Sequence, residues 1–129
     1  KHADEFYTVD AKYDQVYRGY GAESRNPNVV AAVDATRGQI VTYQGKLAIT
    51  TYFSRSDGRT RSWGEVWYGA SQYPWLVRVP VPQDQGKTLW GHGVGMSASG
   101  ALAMANEGQR YDQILTYFYQ GTEIRKAYK

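Results

Sequence analysis

The chain has 129 residues, the size of one domain able to bury roughly two-thirds of its unfolded surface. It has no cysteine, which excludes disulfides, thiolate chemistry and cysteine-type zinc sites, and its apolar runs are far too short to span a membrane. The net charge of +3 arises in the second part: residues 1–53 carry six basic and six acidic groups, residues 54–129 nine and six. A nucleic-acid footprint would be denser, and no RNP, zinc-finger or helix-turn-helix signature accompanies this charge, so no nucleic-acid partner is expected. Lys1 opens directly in polar sequence with no apolar h-region, as in a mature or truncated secreted protein or a cytosolic one.

Twelve Tyr and four Trp are a high aromatic load. Each pairs a flat apolar face with a polar handle, which suits half-exposed positions. Stacking on the CH faces of sugars is one use of such surfaces; packing at sheet edges is the other.

In chain order, the first half reads as β. Gln15-Val16-Tyr17 is a short strand candidate running into the Gly19-Tyr20-Gly21 turn. Val29 to Val33 is apolar and ends before the turn signal Thr36-Arg37-Gly38. Ile40 to Tyr43, Gln44-Gly45 and Lys46 to Phe53 read as a hairpin with β-branched and aromatic arms. From Ser54 to Lys87 the sequence is irregular, with Asp57-Gly58, Pro74, Pro80 and Pro82 as turn cues. Leu76 to Val81 alternates and predicts a strand ending at the prolines. Arg55, Arg59 and Arg61 surround Asp57, either as a solvated loop or as a contact for an anionic polymer.

The end reads as helical. Ser97 can cap a helix whose apolar face is Ala98, Ala101, Leu102 and Ala105, with Gly108 as its C-terminal stop. A second helix, Tyr111 to Tyr119, buries Ile114, Leu115 and Phe118 before Gly121, and Thr122 to Tyr128 is extended. The fold class is therefore α+β: mainly antiparallel strands in the first two-thirds, and two short helices near the C-terminus.

The most informative stretch is Gly91-His92-Gly93-Val94-Gly95-Met96-Ser97. Its alternating glycines free the backbone and set N–H groups beside a helix start, where oxyanions or hydroxyl oxygens are favoured. It is neither a Walker A motif nor a dinucleotide fingerprint. Together with Gly100-Ala101, Tyr111-Asp112-Gln113-Ile114-Leu115, Tyr117 to Tyr119 and Gly121-Thr122, it closely resembles the C-terminal signature of the SpoIID/LytB family. Upstream, Gln15-Val16-Tyr17-Arg18-Gly19, Glu23, Ala32-Val33, Thr36-Arg37-Gly38, Tyr43-Gln44-Gly45, Tyr52-Phe53-Ser54 and Gly58-Arg59-Thr60 follow in the family's order. The resemblance runs from about Asp14 to Tyr128, so residues 1–129 read as the C-terminal portion of a single SpoIID-like domain.

There are departures. Ala98 and Ser99 stand where the family usually has Gln and an aromatic, and Ser56-Asp57-Gly58 where it tends to read Ser-Gly-Gly. A zinc motif of some members falls on His2, Thr8, Tyr13 and Asp14, of which only His2 is a matching ligand. Neither zinc nor any other cofactor is expected.

The resemblance implies a bacterial, extracytoplasmic protein acting on peptidoglycan as a lytic transglycosylase or, in the LytB branch, as an amidase enhancer without cleavage. In the family a single Glu serves as acid and then base, in a Glu-x-Pro context upstream of the Gln-Val-Tyr strand. No Glu here is followed by that Pro, so the catalytic acid is not carried over; an N-terminal segment or a partner chain is expected to supply it. The expected partners are glycan strands stripped of stem peptides. The residues expected to line the cleft are His92 (also as an assisting group), Ser97, Tyr17, Glu23, Ser54 and Ser56. Glu23 could equally form a structural salt bridge, and the serines could be turn residues.

Overall fold

The computed structural model describes residues 21–69 and 72–128. The Gln15-Val16-Tyr17 strand and the zinc-motif positions therefore lie outside the described residues. The chain divides into two units, residues 1–37 and 38–129.

In the first unit, α1 spans Ala22–Arg25 and α2 spans Pro27–Ala35. The Val29–Val33 stretch, read above with the β half, is thus helical. Pro27 occupies the first turn of α2, where its fixed φ suits a helix and its missing N–H costs nothing. The alanines at 31, 32 and 35 then outweigh the modest helix reluctance of three valines.

The second unit is built around a three-stranded antiparallel sheet. Its centre is β1 (Gln39–Tyr43), flanked by β2 (Lys46–Leu47) and by the C-terminal β5 (Thr122–Lys126). The register runs from Gln39 opposite Lys126 to Tyr43 opposite Thr122. Gln44 and Gly45 both have positive φ, 49° and 78°, the signature of the two-residue hairpin turn that matches strand twist. The hairpin is shorter than the sequence suggests. After Leu47, Ala48 enters the core and the Trp75 indole takes the Ile49 carbonyl at 2.7 Å, so the chain leaves the sheet. Tyr52–Phe53 (β3) pairs instead in parallel with Met96–Ser97 (β4).

The irregular middle contains one short helix, α3 (Trp63–Val66), closed by a capping box between Ser62 and Glu65. Leu76 to Val81 runs extended beside Gly58–Trp63 without forming a regular strand. Thr60 N–H meets the Val79 carbonyl at 2.8 Å and Val81 N–H meets that of Gly58 at 2.8 Å. Between them the buried Thr60 hydroxyl accepts from Val79 N–H and donates to the Val77 carbonyl, doing the work of a missing ladder rung. Pro80, which has no N–H, interrupts the ladder.

The core gathers Ala48, Trp75, Leu76, Val79, Val81, Val94, Met104, Ile114, Phe118 and Tyr119. Helix α4 spans Ala98–Asn106 and α5 spans Tyr111–Phe118. Gln109 N–H reaches Met104 O and Gly108 N–H reaches Ala105 O, the two bonds of a Schellman stop. Ile114 and Phe118 are buried as the sequence predicts, and the α+β class stands.

The buried face of α4 differs by one position from the predicted stripe. Ala98, Leu102 and Ala105 are exposed, while Ser97, Gly100 and Met104 are buried. The helix is rotated by a close approach rather than by hydrophobicity: a Cβ on Gly100 would lie 2.5 Å from Val81 Cγ1 and 3.3 Å from Asp84 Oδ2. Gly100→Ala should therefore lower the urea midpoint, because an overpacking cost of about 1–3 kcal/mol exceeds the helix-propensity gain of about 1 kcal/mol. A more stable variant would refute this contact.

Candidate functional site

The Gly-His loop, residues 91–97, is fastened at both ends to the Thr51–Ser56 segment. At one end Arg55 and Trp90 exchange backbone hydrogen bonds of 3.1 and 2.9 Å, forming an antiparallel bridge. At the other, β4 lies along β3, Met96 N–H bonds to the Thr51 carbonyl and the Thr51 hydroxyl to that of Val94. This closeness needs glycine. Gly91 (φ 108°) and Gly95 (φ 84°) are left-handed, and a Cβ on them would meet Phe53 Cβ at 2.8 Å and Thr51 O at 2.0 Å.

His92 is half-buried between Phe53 and Trp67, with ring centroids 5.6 and 4.8 Å away. Its Nδ1 accepts Val94 N–H at 3.0 Å, so the neutral imidazole carries its proton on Nε2. Burial lowers its pKa, against a backbone hydrogen bond with Tyr52 that favours the charged form. Nδ1 is thus committed to the shape of the loop.

Beneath this loop lies a residue the sequence reading passed over. Asp84, in the 3₁₀ turn Pro82–Asp84, is completely buried. Its Oδ2 accepts from Ser97 Oγ (2.6 Å), Ser56 Oγ (2.7 Å) and Ser56 N–H (3.2 Å). Its Oδ1 accepts from Ser99 Oγ (2.6 Å) and Lys87 Nζ (3.0 Å). Burial alone would raise the carboxyl pKa, but hydrogen bonds from Ser97, Ser99, Lys87 and Ser56 outweigh it and hold Asp84 well below the usual carboxylate range. In sequence Asp84 looks like one more turn residue after Pro82; only the convergence of three serines marks it.

The predicted site residues are placed unequally. Ser56 and Ser97 are fully buried with their hydroxyls on Asp84, and Ser97 also accepts Gly100 N–H as the cap of α4. Ser54 is exposed, and its carbonyl accepts Ser99 N–H. These residues and His92 gather around one loop. Tyr17 lies outside the described residues. Glu23 is exposed in the first turn of α1, in the other unit. Ser99, two residues on from Ser97, contributes a further hydroxyl to Asp84.

The basic loop is largely self-neutralised. Arg61 makes a two-pronged pair with Asp57 at 2.5 and 2.7 Å, which lowers the Asp57 pKa. Glu65 takes Arg78 at 2.6 Å and Arg59 at 3.3 Å, and its pKa is held down to about 2, chiefly by Arg78. Among the described residues, no cluster of three or more His, Cys, Asp or Glu is arranged to hold a metal ion. No helix among them is long and apolar enough to cross a membrane.

Two outcomes follow from these contacts. Asp84→Asn should cost about 3 kcal/mol in chemical unfolding, since the Lys87 amine and three hydroxyls lose a buried anion. Lys87→Met should cost less than about 1 kcal/mol, because the amine is partly solvated. For His92, a folded pKa below its ordinary 6.5 means that the unfolded chain takes up the proton first as pH falls. Stability should be full above about pH 6.5, decline toward the folded midpoint and then level off. Urea midpoints at descending pH should show this decline in the wild type and lose it in His92→Gln.

No family model matches the chain. Stage II sporulation protein D of Bacillus subtilis (strain 168) is 26% identical over 204 residues, covering 92% of this chain and 60% of the relative. The protein of the same name from Bacillus amyloliquefaciens is 24% identical over 176 residues, covering 77% and 51% respectively. The amidase enhancer of Bacillus subtilis (strain 168) is 40% identical over 70 residues, 54% of this chain and 9% of the relative. The chain thus spans about half to three-fifths of the sporulation proteins' length and a small part of the enhancer's. Both sporulation-protein alignments are longer than 129 residues, so those relatives carry intervening segments without a counterpart here. By sequence the chain is SpoIID-like, related to stage II sporulation protein D and to the amidase enhancer.

Proposed function

We propose that this chain forms one wall of a groove for peptidoglycan glycan strands within a SpoIID-like lytic transglycosylase of the bacterial cell envelope, outside the cytoplasm. The observation that carries this reading is the Gly-His loop. It is fixed by backbone bonds on both sides, and Tyr52, Ser54 and Trp90 around it are exposed. Tyr and Trp offer flat faces to sugar CH groups, and a serine hydroxyl offers a donor and an acceptor to their hydroxyls. A rigid support fits such a role, because a pre-formed surface loses little entropy when a strand binds.

In this reading His92 and the serines position and bind, and the proton donor comes from outside residues 1–129. Ser56 and Ser97 act from below, by holding Asp84 and the loop in register. Protonation of the glycosidic oxygen requires a carboxyl with a raised pKa. Every described carboxyl with a resolved shift is lowered instead.

A second reading is an accessory that helps an amidase act on the wall without cutting glycan itself. The 40% identity to the amidase enhancer over 70 residues favours it locally. Both readings expect the isolated chain to bind denuded glycan strands and to leave them uncut. Co-sedimentation should retain the chain on purified peptidoglycan more than on chitin, and mass spectrometry should find no 1,6-anhydromuramyl ends. Robust release of such ends would show that the acid lies within these residues. Adding back an upstream segment with a Glu-x-Pro helix separates the two readings by whether cleavage appears.

A further inference from the structure

We infer that Arg55 and Trp90 form a subsite for a sugar that carries a carboxylate, with the anion held by the guanidinium and the ring's CH face against the indole. This rests on the glycan-binding reading above and deepens it. Six arginines are described in the unit 38–129, and five of them face a carboxylate: Arg59 and Arg78 share Glu65, Arg61 has Asp57, Arg110 has Asp112 and Arg125 has Glu123. Arg55 is the exception among the described residues of that unit. Its Nε donates to the Thr88 carbonyl at 3.0 Å, and its guanidinium carbon sits 5.9 Å from the Trp90 ring centroid. Both contacts orient the planar group without neutralising it. The two terminal nitrogens, with four N–H donors, remain for an incoming anion, and a carboxylate matches that fork with two parallel bonds.

The partner surface is equally prepared. Trp90 is 67% exposed, whereas Trp63, Trp67 and Trp75 pack against or within the core. Its backbone is bridged to Arg55 on both sides, and Ser56 next door is clamped to Asp84, so the pair sits on a fixed base. An exposed indole beside an acid-free guanidinium fits an amphipathic, anionic ring better than a neutral one. In a glycan strand stripped of its peptides, that group is the free lactyl carboxylate of the muramyl residue. In an intact strand the same carboxylate is consumed in an amide bond.

The test uses the full chain and three probes: denuded glycan strands, the same strands with their carboxylates converted to methylamides, and chitin oligosaccharides. Binding is read by calorimetry or co-sedimentation at fixed ionic strength. Wild type should bind denuded strands about tenfold or more tightly than methylamidated strands or chitin. Arg55→Gln should bind all three with the weaker affinity, and Arg55→Lys should recover part of the difference. Trp90→Ala should weaken all three probes alike. Wild-type binding that is indifferent to methylamidation overturns the subsite while leaving the glycan reading intact, and it does so even if Arg55→Gln fails to fold. Absence of wild-type binding to every strand overturns both.

Discussion

Everything near the Gly-His loop depends on one buried anion. Asp84 draws together three segments far apart in sequence: Ser56, the turn at Pro82–Lys87, and the start of α4 at Ser97 and Ser99. Burying an unpaired carboxylate would be prohibitive, so the fold is obliged to bring five donors to it. Satisfying those donors fixes which way α4 turns and forces Gly100 against Val81. It also sets the position of Ser56, hence of Arg55 beside it and of Trp90 across the backbone bridge. The exposed chemistry is thus positioned by a polar anchor, where the hydrophobic core alone would leave rotational freedom.

Among the described residues, the aromatic rings serve the interior more than the surface. Ring centroids run in a chain from Tyr43 to Trp75 (5.1 Å), Tyr73 (5.8 Å), Trp63 (4.3 Å), Trp67 (4.5 Å), His92 (4.8 Å) and Phe53 (5.6 Å). The series connects the central strand of the sheet to the imidazole of the loop. Tyr119 belongs to the same interior, with its hydroxyl on the Thr51 carbonyl and burial raising its pKa to about 12. Such rings bury much area while their polar atoms find backbone partners, which suits a small unit with a thin core.

Charge is handled in the same economical way. The loop that looks strongly basic in sequence is mostly a set of internal ion pairs, because Asp57 and Glu65 lie within reach once the chain folds back. A count of charges cannot distinguish an arginine that holds the protein together from one that waits for a ligand. Partner geometry can.

The sequence by itself determined the elements whose signals are local. Gln44-Gly45 set the hairpin turn, Ser97 the cap of α4, Gly108 its stop, and Ile114 and Phe118 the buried face of α5, because turn chemistry and helical spacing act over a few residues. The glycine spacing around His92 also announced a tightly bent loop, and the word pattern pointed to SpoIID-like relatives. Only the tertiary structure decided the rest. Helix α4 rotated by one position, and Tyr52–Phe53 left the hairpin to pair with Met96–Ser97. Asp84, its serines and the acid-free Arg55 emerged only there, since hydrogen bonds between residues 13 to 41 positions apart leave no periodic trace in the chain.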